Sequence, residues 1–114
     1  MPVDPTPIDP LLGDLTDALV QAVHPRQVLV FGSRARGEAT PDSDVDLLVV
    51  EDEPFGAHRS RRDELRRIRQ ALARFRVPKD ILVYSRAEVQ QWRHALNHVI
   101  AKAYREGTVL YGSE

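Results

Sequence analysis

The sequence has no cysteine, and it contains only one methionine and one tryptophan among its 114 residues. Without thiols the chain can form neither disulfides nor a thiolate metal site, so any bound metal must take oxygen or nitrogen ligands. No run of 18 apolar residues occurs, which argues against a transmembrane helix and a membrane partner. The opening residues MPVDPTPIDP lack the basic start and apolar stretch of a secretory signal, and we expect a cytoplasmic protein.

The chain is long enough for one domain with a single core and little else. Its mass is 12.9 kDa, its apolar share is 42% and its charged share is 29%, as in ordinary globular proteins. The proline-rich start predicts a flexible leader over residues 1–8, followed by one domain over residues 9–114.

The net charge of −1 conceals an uneven distribution of charge along the chain. Residues 1–55 carry 11 acids and 3 bases, a net of −8, and residues 56–114 carry 6 acids and 13 bases, a net of +7. Concentrated acid is suited to a cation site, and concentrated base is suited to an anionic partner.

Hydrophobic periodicity divides the chain into alternating helices and strands. A first helix is expected to begin with Asp9 as N-cap and Pro10 in its first turn, and to end before His24. Later helices are predicted over about 59–75 and from the capping box of Ser85 and Glu88 to Gly107, where a bend near residue 94 stays open. Strands are predicted over 27–31, 44–50, 79–84 and 108–111. This order predicts an α+β fold, with a mixed sheet of three to four strands flanked by helices.

A turn of Gly32 and Ser33 directly follows the first strand. Glycine allows a backbone to pass close to a phosphate, and turn amides together with a serine hydroxyl can bind phosphate oxygens. Arg34 and Arg36 follow in the same turn, where guanidinium groups can meet further anionic oxygens. We expect these four residues to bind a nucleotide.

Three aspartates are predicted to gather at one end of the sheet. Asp44 and Asp46 are two positions apart at the start of a strand, so alternation puts both on one face with Cα atoms about 6.6 Å apart. Asp80 opens the next strand and adds a third carboxylate if the two strands are neighbours. Ionised carboxylates this close together need a counter-charge, and carboxylate oxygens are what Mg²⁺ prefers. We expect the three residues to be catalytic and to bind Mg²⁺ or Mn²⁺, because three carboxylates beside a phosphate-binding turn are typical of metal-assisted phosphoryl or nucleotidyl transfer.

The segment GSRARGEATPDSDVDLLVV resembles the signature of the minimal nucleotidyltransferases, a branch of the DNA polymerase beta-like superfamily. Their pattern of Gly-Ser, ten residues and Asp-x-Asp is matched by Gly32, Ser33, Asp44 and Asp46, and Asp80 corresponds to the family's third acid. The ending REGTVLYG is also similar, so the resemblance covers almost the whole chain from about residue 10. It implies a small nucleotidyltransferase-like α/β domain.

The resemblance also implies a partner. Minimal nucleotidyltransferases are typically encoded beside a HEPN-domain RNase toxin, which they silence as antitoxins by transferring AMP from ATP to a tyrosine. ATP or another nucleoside triphosphate and a HEPN-domain toxin are therefore the partners that the resemblance implies. The residues themselves indicate metal, phosphate and transfer, but not adenine, tyrosine or the toxin.

Residues 58–76 contain eight arginines and two acids, and they form a basic amphipathic helix in the predicted fold. A protein partner fits this helix better than nucleic acid, because aromatic side chains for stacking bases are sparse there. We do not expect direct nucleic-acid binding.

Three functions remain open from the sequence. The first is a nucleotidyltransferase with a protein acceptor, the second is an antitoxin that acts by binding alone, and the third is a transferase for a small molecule. Three carboxylates kept together favour an enzyme over a binding module. The short chain argues against a small-molecule transferase, since such enzymes usually append a further domain to hold the acceptor.

Overall fold

The computed structural model describes residues 10–40 and 42–113, so the expected leader and the expected cap at Asp9 lie outside the described residues. Within them the chain forms four helices, a 3₁₀ turn and four strands. In order these are α1 (Pro10–Val23), β1 (Gln27–Phe31), the 3₁₀ turn (Gly32–Arg34), β2 (Val45–Glu51), α2 (Arg61–Ala71), β3 (Lys79–Ser85), α3 (Arg86–Trp92), α4 (Val99–Glu106) and β4 (Thr108–Gly112). No helix in this part of the chain is both long and apolar enough to cross a bilayer.

The strands form one mixed sheet in the order β3-β2-β1-β4. Strand β1 is antiparallel to both β2 and β4, while β2 is parallel to β3. The parallel pair requires a crossover, which α2 supplies between β2 and β3. The predicted α+β class is confirmed, and the mixed sheet flanked by helices, predicted to have three to four strands, has four.

Helices cover both faces of the sheet, and β2 is buried between them. Leu47 and its neighbours at alternate positions face α1 and α2, whereas Leu48 faces α3 and α4. Both leucines are fully buried. A strand covered on both faces has to be apolar at nearly every position, which explains the continuous run at the end of VDLLVV. The two apolar layers meet at this strand.

The helix α2 is shorter than the predicted range of 59–75. The Ser60 hydroxyl accepts a hydrogen bond from Asp63 N at 3.2 Å and makes Ser60 the N-cap. Arg59 is outside the helix and forms an isolated β-bridge with Gly56. After Ala71 the chain turns, although Leu72 remains fully buried against the core.

The segment between β3 and β4 contains two helices, which settles the question left open near residue 94. The predicted capping box is confirmed, since Ser85 and Glu88 bond reciprocally at the start of α3. Residues 93–98 form turns, and His98 begins α4 by accepting a hydrogen bond from Ile100 N at its Nδ1, at 3.1 Å. Gly107 is the C-cap of α4, as predicted.

Candidate active site

The turn after β1 requires glycine at its first position. Gly32 has a φ of +76°, and a Cβ atom placed there would overlap the Oδ2 atom of Asp46. The Gly32 carbonyl accepts hydrogen bonds from Ala35 N at 3.1 Å and Arg36 N at 3.2 Å, which close the turn. No side chain caps this 3₁₀ turn, so its first N–H groups have no acceptor within it. The structure thus brings the predicted Gly-Ser turn directly against the second aspartate of the motif.

The sheet register brings two of the predicted carboxylates together. Asp46 of β2 is the Cα partner of Asp80 of β3, and adjacent strands are about 4.8 Å apart. Because side chains alternate, both aspartates lie on the sheet face that also carries Leu48 and Leu82 and that α3 and α4 cover. Asp44 is exposed and precedes β2, which begins one residue later than predicted.

The three carboxylates interact electrostatically, and Asp46 is the one most affected. Partial burial raises the pKa of Asp46, and the negative charges of Asp80 and Asp44 raise it further. Two cations, Lys102 and Arg36, oppose this shift. The site therefore holds more negative charge than its two neighbouring cations balance.

The donor set of the site fits a divalent cation. Carboxylate oxygens on adjacent positions are ligands for hard cations such as Mg²⁺, and such an ion would relieve the repulsion at Asp46. Over residues 10–40 and 42–113, however, no three acidic or histidine side chains converge into a complete metal site. The described side chains supply part of a coordination shell, and the rest of the ligands would come from water and phosphate.

The two arginines of the turn have contacts within the chain. The Arg34 Nη2 atom donates a hydrogen bond to the Ser43 carbonyl at 2.8 Å, which ties the turn to the residue before Asp44. Arg36 is exposed and pairs with Glu38 at 2.9 Å and with Glu106 at 3.8 Å. The charge of Arg36 also acts on Asp46. The contact of either arginine with a nucleotide stays a prediction.

Helix α4 brings residues to the site that the sequence analysis did not single out. Glu106 meets Arg36 at the helix end, and Lys102 is one helical turn earlier on the same side of α4. The charge of Lys102 acts on Asp46. Neither residue belongs to a recognisable motif, and only the packing of α4 on the sheet brings them close to the turn.

A mixed sheet with helices on both faces, and acids at the start of two parallel strands beside a glycine turn, defines a small nucleotidyltransferase-like α+β protein. The particular family follows from the sequence: residues 14–110 match the nucleotidyltransferase domain family, and the chain belongs to it. Members of this family generally use divalent metal ions. A comparison with curated proteins found no significant match.

Solved structures of low sequence identity share the fold. A toxin-antitoxin crystallised with AMP-PNP matches with a TM-score of 0.54 and 17% identity, over 90% of this chain and 74% of that chain. A Sulfolobus solfataricus protein assigned as a nucleotidyltransferase matches with a TM-score of 0.58 and 18% identity, over 90% of this chain and 78% of that chain. A mutant of the toxin-antitoxin MntA-HpeT has two Asp-to-Glu changes two positions apart. It matches with a TM-score of 0.64 and 12% identity, over 90% of this chain and 74% of that chain.

Proposed function

We propose that this protein is a metal-dependent adenylyltransferase that transfers AMP from ATP to a tyrosine of a HEPN-domain toxin, and thereby acts as its antitoxin. The observation that carries the proposal is the contact of Gly32 with the Asp46 carboxylate, which itself lies beside Asp80 in the sheet. A phosphate on the turn would therefore be next to the acids. This adjacency is what transfer of a phosphate-containing group requires.

The structural neighbours support the nucleotide and the toxin parts of the proposal. One of them is a toxin-antitoxin crystallised with AMP-PNP, a nucleoside triphosphate analogue. Another carries Asp-to-Glu changes two positions apart, the spacing of Asp44 and Asp46 here. The HEPN class of the toxin and the tyrosine acceptor come from the resemblance of the GSRARGEATPDSDVDLLVV segment to the minimal nucleotidyltransferases.

In the proposed reaction Asp44, Asp46 and Asp80 would contribute carboxylate ligands to Mg²⁺ or Mn²⁺, with water and phosphate completing the coordination, and the Gly32-Ser33 turn would bind phosphate oxygens. The metal would supply Lewis-acid stabilisation of the charge on the triphosphate. The tyrosine hydroxyl oxygen forms a bond to the α-phosphorus of ATP, and the bond from that phosphorus to the β-phosphate oxygen breaks. Pyrophosphate leaves, and one of the aspartate carboxylates accepts the tyrosine proton.

The acidic site is open to solvent in this chain, and we expect the partner protein to cover it. Asp44 and Asp80 are exposed, and Asp46 is only partly buried. Transfer to a protein hydroxyl in preference to water requires that water be excluded from the site. We therefore expect the isolated chain to react slowly with ATP, and the toxin to complete the site when its tyrosine enters.

The test is incubation of the protein with the product of the neighbouring toxin reading frame, ATP and Mg²⁺, followed by mass spectrometry of the toxin peptides. Wild-type protein should add AMP to a toxin tyrosine, and Asp46→Asn should abolish the addition. Asp42→Asn is the matched control, because it removes one negative charge from an exposed position in the loop before β2, where the motif specifies no residue. It should leave the addition intact.

The same samples separate the proposal from an antitoxin that acts by binding alone. Under the proposal, Asp46→Asn also loses the ability to restore growth of cells that express the toxin. If Asp46→Asn neutralises the toxin as fully as wild type and no modified peptide forms, the enzyme proposal is wrong and binding is sufficient.

A further inference from the structure

Helix α4 carries a cation on the sheet face that holds the acidic site. Ile100 and Ala103 of α4 are buried against that face together with Phe31 and Leu48, whose strands hold the turn and Asp46. Lys102 lies between them in sequence and is exposed. Glu106 is one helical turn further along the same side of α4 and contacts Arg36 of the turn at 3.8 Å. Lys102 is therefore on the side of α4 that faces the turn and the acidic site.

The two cations near Asp46 differ in how they are engaged. Arg36 is paired with Glu38 and Glu106. Lys102, by contrast, forms no ion pair within 4.0 Å with any acidic side chain of residues 10–40 or 42–113. An unpaired lysine beside three aspartates can bind an anion brought by a ligand without first breaking a salt bridge.

The position of Lys102 is determined by contacts of the C-terminal half of α4 with both ends of β1. At the end nearer the site, Gly107 packs so tightly that a Cβ atom would overlap the carbonyl oxygens of Ala103 and Val30, where β1 approaches the turn. The Tyr104 hydroxyl donates a hydrogen bond to the Gln27 side chain at the other end of β1. The helix is thus held on β1, and Lys102 is presented to the site by a rigid element.

We propose that Lys102 binds the β- and γ-phosphates of the nucleoside triphosphate. The assignment rests on the proposed function, because it assumes that the Gly32 turn and the aspartates bind such a nucleotide. The new bond forms at the α-phosphate, and the carboxylates of the site would supply the metal ligands and the base for that step. Most of the negative charge of a nucleoside triphosphate is on the two phosphates beyond it, and a lysine ammonium is a common ligand for them.

A purely structural role for Lys102 predicts a different result. If the lysine only balances the charge of the aspartates, its removal would affect every nucleotide equally and would change the stability of the free protein. If it binds the outer phosphates, its removal weakens binding in proportion to the number of phosphates beyond the first. The two roles are distinguished by comparing nucleotides that differ only in phosphate number.

The experiment is calorimetric titration of the full chain with ATP, ADP and AMP in the presence of Mg²⁺. Lys102→Gln should weaken ATP binding by about tenfold or more, as expected for loss of a hydrogen bond to a charged group. It should weaken ADP binding by a smaller factor and AMP binding by less than about twofold. Lys102→Arg should retain most of the affinity. Arg105→Gln is the matched control, since it removes a positive charge from an exposed position three residues further along the same helix and should change none of the three affinities.

The possible results distinguish an error in the role of Lys102 from an error in the proposed function. If the wild type binds ATP and Lys102→Gln binds it equally well, the role of Lys102 is wrong and the proposed function stands. The same conclusion follows if Lys102→Gln loses affinity equally for ATP, ADP and AMP. Failure of the wild type to bind any of the three nucleotides would overturn the proposed function, and the assignment of Lys102 with it. The thermal unfolding midpoint of Lys102→Gln should equal that of the wild type, and a marked fall would favour the structural role.

Discussion

At the scale of single residues, Gly32 and Gly37 show how the same backbone conformation can serve two purposes. Both have positive φ, +76° and +73°, which non-glycine residues adopt at a cost. Gly32 also contacts the Asp46 carboxylate, whereas nothing lies within 4 Å of a Cβ atom at Gly37. Backbone strain and site geometry can therefore be tested separately.

Gly32→Ala should abolish nucleotide binding, because the added methyl group displaces the Asp46 carboxylate. Gly37→Ala imposes the same backbone strain, about 1–2 kcal/mol, without touching the site. Urea unfolding should show a comparable loss of stability in both variants, and calorimetry with ATP and Mg²⁺ should show binding only in Gly37→Ala. Equal binding by the two variants would show that Gly32 has no role beyond its turn.

Substitutions of Ser33 and Leu47 should separate an effect on nucleotide binding from an effect on stability. Ser33→Ala should weaken triphosphate binding with almost no change in melting temperature, since a half-buried turn hydroxyl contributes little to the core. Leu47 is fully buried, so Leu47→Ala should lower stability by about 2–5 kcal/mol. Thermal unfolding and nucleotide titration measure both effects. If Ser33→Ala unfolds the protein, the turn is structural and the phosphate assignment loses its main support.

At the scale of elements, the basic helix α2 is engaged mostly within the chain. Arg61 pairs with Glu88, Arg66 with Asp63 and Arg67 with Glu64. The eight arginines of residues 58–76 therefore form a smaller basic surface than their number indicates. Four of the eight, with Arg59 included, pair with acids in this way. The role of this segment in docking a protein partner stays a prediction.

The start of α2 and the end of β2 are joined by a buried pair of acids. Glu51 and Glu64 are only 3% and 6% exposed, and Arg59 contacts both. Burial raises the pKa of Glu51 to about 7, and its hydrogen bond with Glu64 adds to the effect, while Arg59 opposes it. The folded state therefore favours the protonated form of Glu51.

Stability should consequently fall as the pH rises from about 4.5 to about 7, because over that interval the folded state retains a proton that the unfolded state has already lost. The contribution is present in full below the pKa of the unfolded state. A shift of one pKa unit corresponds to about 1.4 kcal/mol, so the decline is at most about 3 kcal/mol. Glu51→Gln, which mimics the protonated side chain, should remove this part of the pH dependence.

Urea unfolding at a series of pH values between 4.5 and 8 measures the effect. Glu53→Gln is the control, because Glu53 contacts the same Arg59 at 3.7 Å but has a side chain that is 75% exposed. It should keep the slope of the wild type. The same slope in Glu51→Gln would show that Glu51 is ionised in the folded protein throughout this range.

At the scale of the whole molecule, the two apolar layers share the central strands β1 and β2. Leu47 belongs to the layer beneath α1 and α2, and Leu48 belongs to the layer beneath α3 and α4. Because β2 is central to both, neither layer can lose its packing without exposing part of the other. The protein is expected to unfold as one cooperative unit.

The single tryptophan tests this expectation. Trp92 ends α3 and stacks on His98, with ring centroids 4.8 Å apart, so its fluorescence reports on the α3–α4 layer. Far-UV circular dichroism reports on the whole backbone. The two urea transitions should superimpose, and Leu47→Ala should move them together although Leu47 is on the opposite face. A fluorescence transition at lower urea would show that the α3–α4 layer unfolds separately.

Local pattern in the sequence was sufficient to predict the elements and the motif. Periodicity placed the four strands within one residue of their observed bounds, and the spacing of Gly32, Ser33, Asp44 and Asp46 indicated the chemistry. The helix cap at Ser85 could be predicted from the sequence, because a cap depends on residues that are close together in the chain. Helix ends were less accurate, since the end of α2 depends on long-range packing.

Only the tertiary structure decided which distant residues meet. The register of β2 and β3 pairs Asp46 with Asp80, and the packing of α4 brings Lys102 to the same acids. The contact between Glu51 and Glu64 likewise requires α2 to lie at the end of β2. No local pattern contains these relations, because they depend on how the strands align and how each helix packs over the sheet. The sequence by itself determined the elements and the chemical groups, and the packing of those elements determined their arrangement.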